Sequence, residues 1–200
     1  PRIVAECPAR HNKSSAAADR GTLLHGFMET FYRDGTPVQQ QDGWSDLDEN
    51  DREALFDALD MTEEYLDSIN AHTLLPEQFV QMAHNVGGSA DLIAISDVVV
   101  AIIDFKFGFK PVTDRTQFLH YALCAELTPG IAQYLYDAND SPLQLQSVII
   151  QPACHKHALI FSHSAQEMNE YEDKLEAAID SRDTAPATAG EHGGYCPAAP

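Results

Sequence analysis

Three residues of this chain have types and spacing that could carry chemistry: Asp91, Asp104 and Lys106. An apolar, β-branched run from Val98 to Ile103 predicts a buried strand that ends in an acid, an aromatic and a base. Because side chains alternate along a strand, we expect Asp104 and Lys106 on one face and Phe105 on the other. A buried strand rarely ends in this way, so its end is the first candidate for a functional site.

We expect Asp91 to lie close to Asp104. It opens a second apolar run, residues 92–95, and a short Ser96-Asp97 turn joins the two runs, so they are predicted to pair as antiparallel strands. Two neighbouring carboxylates repel each other unless a cation lies between them, and oxygen ligands suit Mg²⁺ or Mn²⁺. A lysine beside that cation would be shifted toward its neutral form, or would hold an attacking water and a phosphate oxygen. These residue types favour metal-assisted hydrolysis of a phosphodiester.

Each part of this pattern also has a simpler interpretation. An Asp-x-Lys pair at a strand end is typical of a solvated terminus with a local ion pair, and Gly-x-x-Asp alone is a common turn sequence. The order of the two motifs on successive predicted strands favours the metal site. A metal-dependent phosphohydrolase with a small substrate would use the same groups, so that alternative stays open.

Two predicted helices carry polar pairs at a spacing of four residues. His25 and Glu29 share one face of the first helix, where the imidazole could bind a divalent ion and Glu29 could orient it or reach the metal. A lone helical histidine is also typical of a surface or satisfied core group. Gln117 and Tyr121 form a similar pair on a later helix. That pair fits a substrate-facing amide and phenol, or the polar edge of an amphipathic helix.

The hydrophobic periodicity predicts an α/β protein with a mixed sheet flanked by helices. Residues 1–200 are expected to form a single domain with an irregular arm at residues 1–20 and a tail at residues 183–200. Helices are predicted at residues 21–33, 49–71, 113–127, 131–136 and 165–181. Strands are predicted at residues 78–85, 90–95, 98–105, 145–151 and 157–162.

The composition restricts where the protein works. The chain is 44% hydrophobic, yet no apolar run approaches the roughly 20 residues of a membrane helix. The first residues do not form a signal peptide of basic and then apolar residues. We therefore expect a protein of the cytoplasm without a membrane partner. The composition leaves its oligomeric state open.

The charge argues against long-range attraction to nucleic acid. The chain has 31 acidic and 12 basic side chains, for a net charge of −19. Much of the excess lies in residues 42–67, which predict a surface helix with Leu55, Leu59 and Leu66 on its inner side. This acidic surface could take a protein partner, whereas DNA would have to bind in a local cleft. The candidate cations for that cleft are Arg10, Lys13, Arg20, Lys106, Lys110 and Arg115.

Taken in order, these motifs resemble a known family. The set Gly21-Thr-x-x-His25-x-x-x-Glu29, Gly88-Ser-Ala-Asp91, Ile103-Asp104-Phe-Lys106-Phe-Gly108 and Gln117-x-x-x-Tyr121-Ala is similar to that of RecB-like nucleases in the PD-(D/E)XK superfamily. The segments Val148-Ile-Ile-Gln151-Pro and Gly-Glu-His-Gly-Gly-Tyr-Cys196-Pro are similar to a phage-associated branch of these nucleases. The resemblance extends from about Cys7 to Cys196.

The resemblance implies a restriction-endonuclease-like fold, in which a central mixed sheet is flanked by helices. It implies Mg²⁺- or Mn²⁺-dependent cleavage of DNA, most often by an exonuclease, in phage-type recombination, replication or repair inside a bacterial host cell. The implied metal ligands are His25, Asp91, Asp104 and the backbone carbonyl of Phe105. Lys106 would be the catalytic lysine, and Gln117 and Tyr121 would contact DNA and brace the active site.

Members of this branch often hold a 4Fe–4S cluster through one cysteine before the first helix and three near the C-terminus. Cys7 and Cys196 match the first and second of these ligands. The residues after Cys196 are Pro-Ala-Ala-Pro, which contain no third or fourth ligand. Either the given sequence stops short of these ligands or the protein lacks the cluster, so we do not expect the cluster in this chain.

A different class of function remains open beside the nuclease. A catalytically inactive nuclease-like domain could bind a protein or a DNA end, and the charge of −19 favours protein partners. The complete set of two acids and a lysine favours the enzyme.

Overall fold

The computed structural model describes residues 16–82, 86–112, 115–136 and 143–181. The helices of this part are α1 (Ala16–Asp34), α2 (Glu49–Ile69), α3 (Thr116–Leu127), α4 (Pro129–Tyr136) and α5 (Ala165–Ser181). Its strands are β1 (Thr73–Met82), β2 (Val86–Ile95), β3 (Val99–Phe105), β4 (Gln144–Ile150) and β5 (Leu159–Ser162). Two short 3₁₀ turns, Val38–Gln40 and Trp44–Asp46, lie between α1 and α2.

The strands form one mixed sheet in the order β1-β2-β3-β4-β5. All neighbours are antiparallel except β3 and β4, which run parallel. A parallel pair needs a long crossover, and here the crossover contains α3 and α4. The predicted fold class, an α/β protein with a central mixed sheet flanked by helices, is confirmed.

Helices cover both faces of the sheet. On one face, α1 and α2 pack against alternate residues of the central strands, among them Leu92, Ile103 and Val148. On the other face, α3, α4 and α5 pack against the intervening residues, such as Ile93 and Ile102. Because β3 is buried on both sides along its whole length, its sequence is continuously apolar up to Asp104.

The acidic helix predicted from residues 49–71 is α2, and its bounds follow from its caps. The side chain of Asp48 accepts a hydrogen bond from the backbone N–H of Asp51 at the N-terminus, and Asn70 ends the helix with a φ of 52°. Leu55 and Leu59 are buried in the core beneath α2, and Leu66 packs against the same core. The carboxylates of α2 therefore lie mainly on its outer side.

Three predicted boundaries are wrong by four residues or more. The arm expected to be irregular to residue 20 is already helical from Ala16, because the run Ala16-Ala-Ala favours helix strongly. β1 begins at Thr73 rather than at residue 78, and β2 begins at Val86 rather than at residue 90. Pro76 obscured the start of β1, since proline is expected only on an edge strand, which β1 is. The predicted tail, residues 183–200, lies outside the described residues.

Within the described residues, no helix is both long enough and apolar enough to cross a membrane.

Candidate active site

The strand pairing of β2 and β3 brings the two aspartates together. The ladder between these strands ends at the pair Leu92 and Ile103, and Asp91 and Asp104 are the residues next to this last pair on their strands. Asp104 is only 6% exposed and is the penultimate residue of β3, which is buried along its whole length. A buried carboxylate at this place is costly unless other groups compensate its charge.

Asp91 has two contacts that fix its carboxylate. Its Oδ2 accepts a hydrogen bond of 2.8 Å from the backbone N–H of Phe105 and lies 3.3 Å from Nδ1 of His25. Two ligands of one Mg²⁺ ion, each about 2.1 Å from it in an octahedron, lie about 3 Å apart. The 3.3 Å between Nδ1 of His25 and Oδ2 of Asp91 is therefore close to the distance between two ligand atoms on one ion.

Asp104 is paired with Lys106. The lysine Nζ donates a hydrogen bond of 2.9 Å to Oδ1 of Asp104 and lies 2.7 Å from Oδ2. Oδ2 itself is buried and, among the described residues, has no partner in hydrogen-bonding geometry. This leaves Oδ2 with an ion-pair contact and unused acceptor capacity.

His25 on α1 is held between Asp91 and the segment after β3. Its ring meets the ring of Phe107 edge-on, with 5.5 Å between the centroids. Burial favours the neutral imidazole, but the hydrogen bond and charge of Asp91, with a smaller effect of Asp104, raise the pKa of His25 above its usual value. Burial of the Asp104 carboxylate raises its pKa to about 6, although the charge of Lys106 opposes this shift. These groups are electrostatically coupled, as expected of a site that gathers charge.

The donor set suits Mg²⁺ or Mn²⁺ in its chemistry, because it combines two carboxylates with an imidazole. In the side-chain conformations seen, however, no three His, Cys, Asp or Glu residues of the described segments form a group that could hold a metal ion. Lys106 faces the Asp104 carboxylate, and the Phe105 amide faces Asp91. A metal ion bound by all three side chains would require Asp104 to turn from the lysine.

No hydrogen bond or ion pair joins Glu29 to His25 within the described residues. Its carboxylate forms an ion pair with Arg33, one turn along α1. The carboxylate that contacts the imidazole is that of Asp91. The role of Glu29 beside a metal ion stays a prediction.

Glu77 on β1 is a neighbour of the site that the motifs missed. It falls opposite Asp91 in the register of β1 and β2, at the position where the ladder skips a pair. Its φ of 47° is in the left-handed region, which is uncommon for residues other than glycine. Burial and the nearby charge of Asp91 raise the pKa of Glu77. The proline one residue before it was the available signal, because proline within a strand marks an irregular ladder.

Tyr121 on α3 contacts the strand that carries Asp91, at Gly88, and Gln117 contacts Tyr121. The amide of Gln117 lies 3.4 Å from the hydroxyl of Tyr121. A Cβ added to Gly88 would lie 2.6 Å from Cε1 of Tyr121, so the phenol packs directly on the backbone of β2. Gly88 precedes Asp91 by three residues, and the two motifs are therefore in contact. Binding of DNA by Gln117 and Tyr121 stays a prediction.

Several cations expected to line a cleft have other partners. Arg20 forms an ion pair with Asp51 and donates to the backbone carbonyl of Phe107 at 2.7 Å. Arg115 lies over the ring of Phe161, 4.7 Å from its centroid. Lys110 is exposed, and Lys106 is at the site itself. The expected cleft cations Arg10 and Lys13, and the cysteines Cys7 and Cys196, lie outside the described residues.

Comparison with known proteins gives a family and a likeness of fold. The model of the family described as "Protein of unknown function (DUF2800)" matches residues 2–200. The crystal structure of a "Putative exonuclease" from Eubacterium rectale is similar with a TM-score of 0.50 and 7% identity, over 90% of this chain and 79% of that one. The structure of SSO0001 is matched with a TM-score of 0.32 and 15% identity, over 70% of this chain and 63% of that one. No curated protein matches the chain significantly.

Proposed function

We propose that this chain, which belongs to the DUF2800 family, is a DNA nuclease that depends on Mg²⁺ or Mn²⁺ and is of the RecB-like type in the PD-(D/E)XK superfamily. The observation that carries the proposal is the placement of Asp91 and Asp104 next to the last pair of the β2–β3 ladder, with His25 against the first and Lys106 against the second. The likeness in fold to a protein described as an exonuclease supports it. The enzyme would act in the cytoplasm of a bacterial cell, most often as an exonuclease, in phage-type recombination, replication or repair.

His25, Asp91, Asp104 and the backbone carbonyl of Phe105 would hold the ion. A divalent ion held there would supply Lewis-acid activation of the scissile phosphate and of the attacking water. Lys106 orients the water or binds a phosphate oxygen, because its ammonium is at the same strand end as Asp104. Asp91 orients the imidazole of His25 through their 3.3 Å contact. Tyr121 braces the strand that carries Asp91.

The test is cleavage of linear duplex, circular duplex and single-stranded DNA with Mg²⁺ or Mn²⁺. Asp104→Asn and Lys106→Met should each abolish cleavage while circular dichroism shows an unchanged fold. Asp97→Asn is the matched control, because Asp97 is 97% exposed in the turn at the opposite end of β2 and β3. Full activity in either site variant would overturn the assignment.

A second candidate is an inactive nuclease-like module that binds a protein or a DNA end. It is favoured by the absence, among the described residues, of a ready group of three metal ligands, and by the net charge of −19. Metal binding separates the two candidates. Mn²⁺ binding that is lost in Asp91→Ala supports the enzyme, whereas no binding at millimolar Mn²⁺ supports the module.

A further inference from the structure

Phe109 is the most exposed large hydrophobic side chain of the described residues, at 76%. It follows Lys106 by three positions and Phe107, which contacts His25, by two. An exposed phenylalanine by itself has no special meaning, because many surfaces carry single apolar side chains. This one is notable for its position next to the candidate active site and for the way its backbone is held.

The segment that carries Phe109 is fastened to the end of β4 by one buried amide. Gln151 is 1% exposed, and its Nε2 donates hydrogen bonds of 2.8 Å to the backbone carbonyls of Gly108 and Lys110. Its Oε1 accepts a hydrogen bond of 3.1 Å from the backbone N–H of Val112. The residues on both sides of Phe109 are thus tied to the sheet, so the exposed ring stands on a fixed backbone.

Arg20 orients the ring from α1. Its guanidinium lies over the ring of Phe109, 5.4 Å from the centroid, while another of its N–H groups donates to the carbonyl of Phe107. The ion pair with Asp51 fixes the guanidinium in turn. One face of the ring is therefore next to a cation, and the large exposed fraction leaves the rest of the ring open to a second flat group.

The surroundings of Phe109 select the chemistry of that group. The cavity next to the ring is lined on its α2 side by Asn50, Glu53 and Asp57. The two carboxylates repel a phosphate, and the net charge of −19 gives little long-range attraction for a nucleic-acid backbone. A nucleobase carries no charge and can lie beside carboxylates. Stacking also supplies affinity that does not depend on neutralising phosphates.

We propose that Phe109 stacks on an unpaired nucleobase of the substrate, so that the substrate class is single-stranded DNA or a duplex with an unpaired end. The proposal deepens the proposed nuclease function and rests on it. In a closed circular duplex every base is paired and stacked on both faces, so such a duplex is bound without this contact.

The experiment measures binding of a short single-stranded oligonucleotide that contains 2-aminopurine, and of a closed circular duplex. Binding of both DNAs is measured in Ca²⁺, which binds to oxygen ligands. We use Ca²⁺ so that the DNA is bound without being cleaved. The variants are Phe109→Ala, Phe109→Trp and the control Val98→Ala. Val98 is 63% exposed and lies in the turn at the opposite end of β2 and β3. Truncation of an exposed side chain should leave the fold intact, which thermal unfolding checks.

We expect Phe109→Ala to weaken single-strand binding by about 5- to 150-fold, the range that one lost base stack gives. The 2-aminopurine fluorescence, quenched by stacking in the wild type, should recover in that variant and stay quenched in Phe109→Trp. Binding of the circular duplex should be the same in all variants, and Val98→Ala should bind both DNAs as the wild type does. Equal weakening of single-strand and duplex binding, or no weakening, would overturn the proposal. Wild-type cleavage of DNA in Mg²⁺ separates this failure from failure of the nuclease function.

Discussion

The contact between Gly88 and Tyr121 gives the sharpest test of how the site is assembled. In Gly88→Ala the new Cβ would lie 2.6 Å from Cε1 of Tyr121, a distance that real Cβ contacts essentially never show. The phenol must move or β2 must shift. Overpacking of this kind costs about 1–3 kcal/mol. Alanine gains about 0.5–1 kcal/mol over glycine within a strand, so the net loss of unfolding free energy is about 0–2.5 kcal/mol.

The net value alone does not identify the cause, so the experiment is a double-mutant cycle with Tyr121→Ala. In that background the added methyl meets no ring, and Gly88→Ala should become neutral or stabilising. The coupling energy, measured by urea unfolding, should be about 1–3 kcal/mol. Gly108→Ala is the matched control, because a Cβ at Gly108 has no atom within 4 Å. An equal cost of Gly88→Ala in both backgrounds would refute the argument that the ring occupies this place.

Two further predictions concern charge. Lys106→Met should bind Mn²⁺ at least about tenfold more tightly than the wild type, because the ammonium and the metal ion compete for the Asp104 carboxylate. Isothermal titration calorimetry measures this affinity. Lys110→Met, which removes an exposed lysine, is the control, and an equal gain in affinity there would show a general charge effect only. His163 is partly buried and close to Ser147, and burial, with the charge of Arg115, lowers its pKa in the folded state. The unfolded state, with a pKa of about 6.5, therefore binds the proton more readily, and stability falls as the pH drops below that value. The urea midpoint of the wild type should fall more than that of His163→Gln between about pH 7.5 and about pH 5.5, and an equal fall would contradict the sign.

The order of the elements could be predicted because apolar periodicity and turn residues were clear along most of the chain. β3 illustrates the success, since a strand buried on both faces has a continuous apolar sequence and a distinct end. β1 illustrates the failure. It is an edge strand whose burial changes along its length, and Pro76 interrupts the expected pattern in its middle. Whether an edge strand forms depends on how its side chains pack against the neighbouring strand, and the periodicity of apolar residues in the sequence does not show this packing.

For the site, sequence could place the groups but not the contacts among them. The alternation of side chains correctly separated Phe105, which packs in the core with α1 and α2, from the Asp104 and Lys106 pair. Glu77 was missed because its proximity to Asp91 comes from the register of two strands, and its left-handed backbone has no motif of its own. The contacts of Gln151 with residues 108–112 join segments about forty positions apart, and a local pattern cannot show them.

The distribution of charge ties these observations together. Helix α2 packs on the sheet face opposite α3, so its carboxylates, among them Glu53 and Asp57 beside Phe109, lie on the other side of the sheet from Gln117 and Tyr121. Arg20 contacts both α2 and the segment after Lys106. Its charge is paired with Asp51, so it is not available to a phosphate. Few described cations are left to bind a DNA backbone. A nuclease built on this chain would therefore depend on the metal ion, Lys106 and stacking for affinity, and its binding should be local to the end of β3.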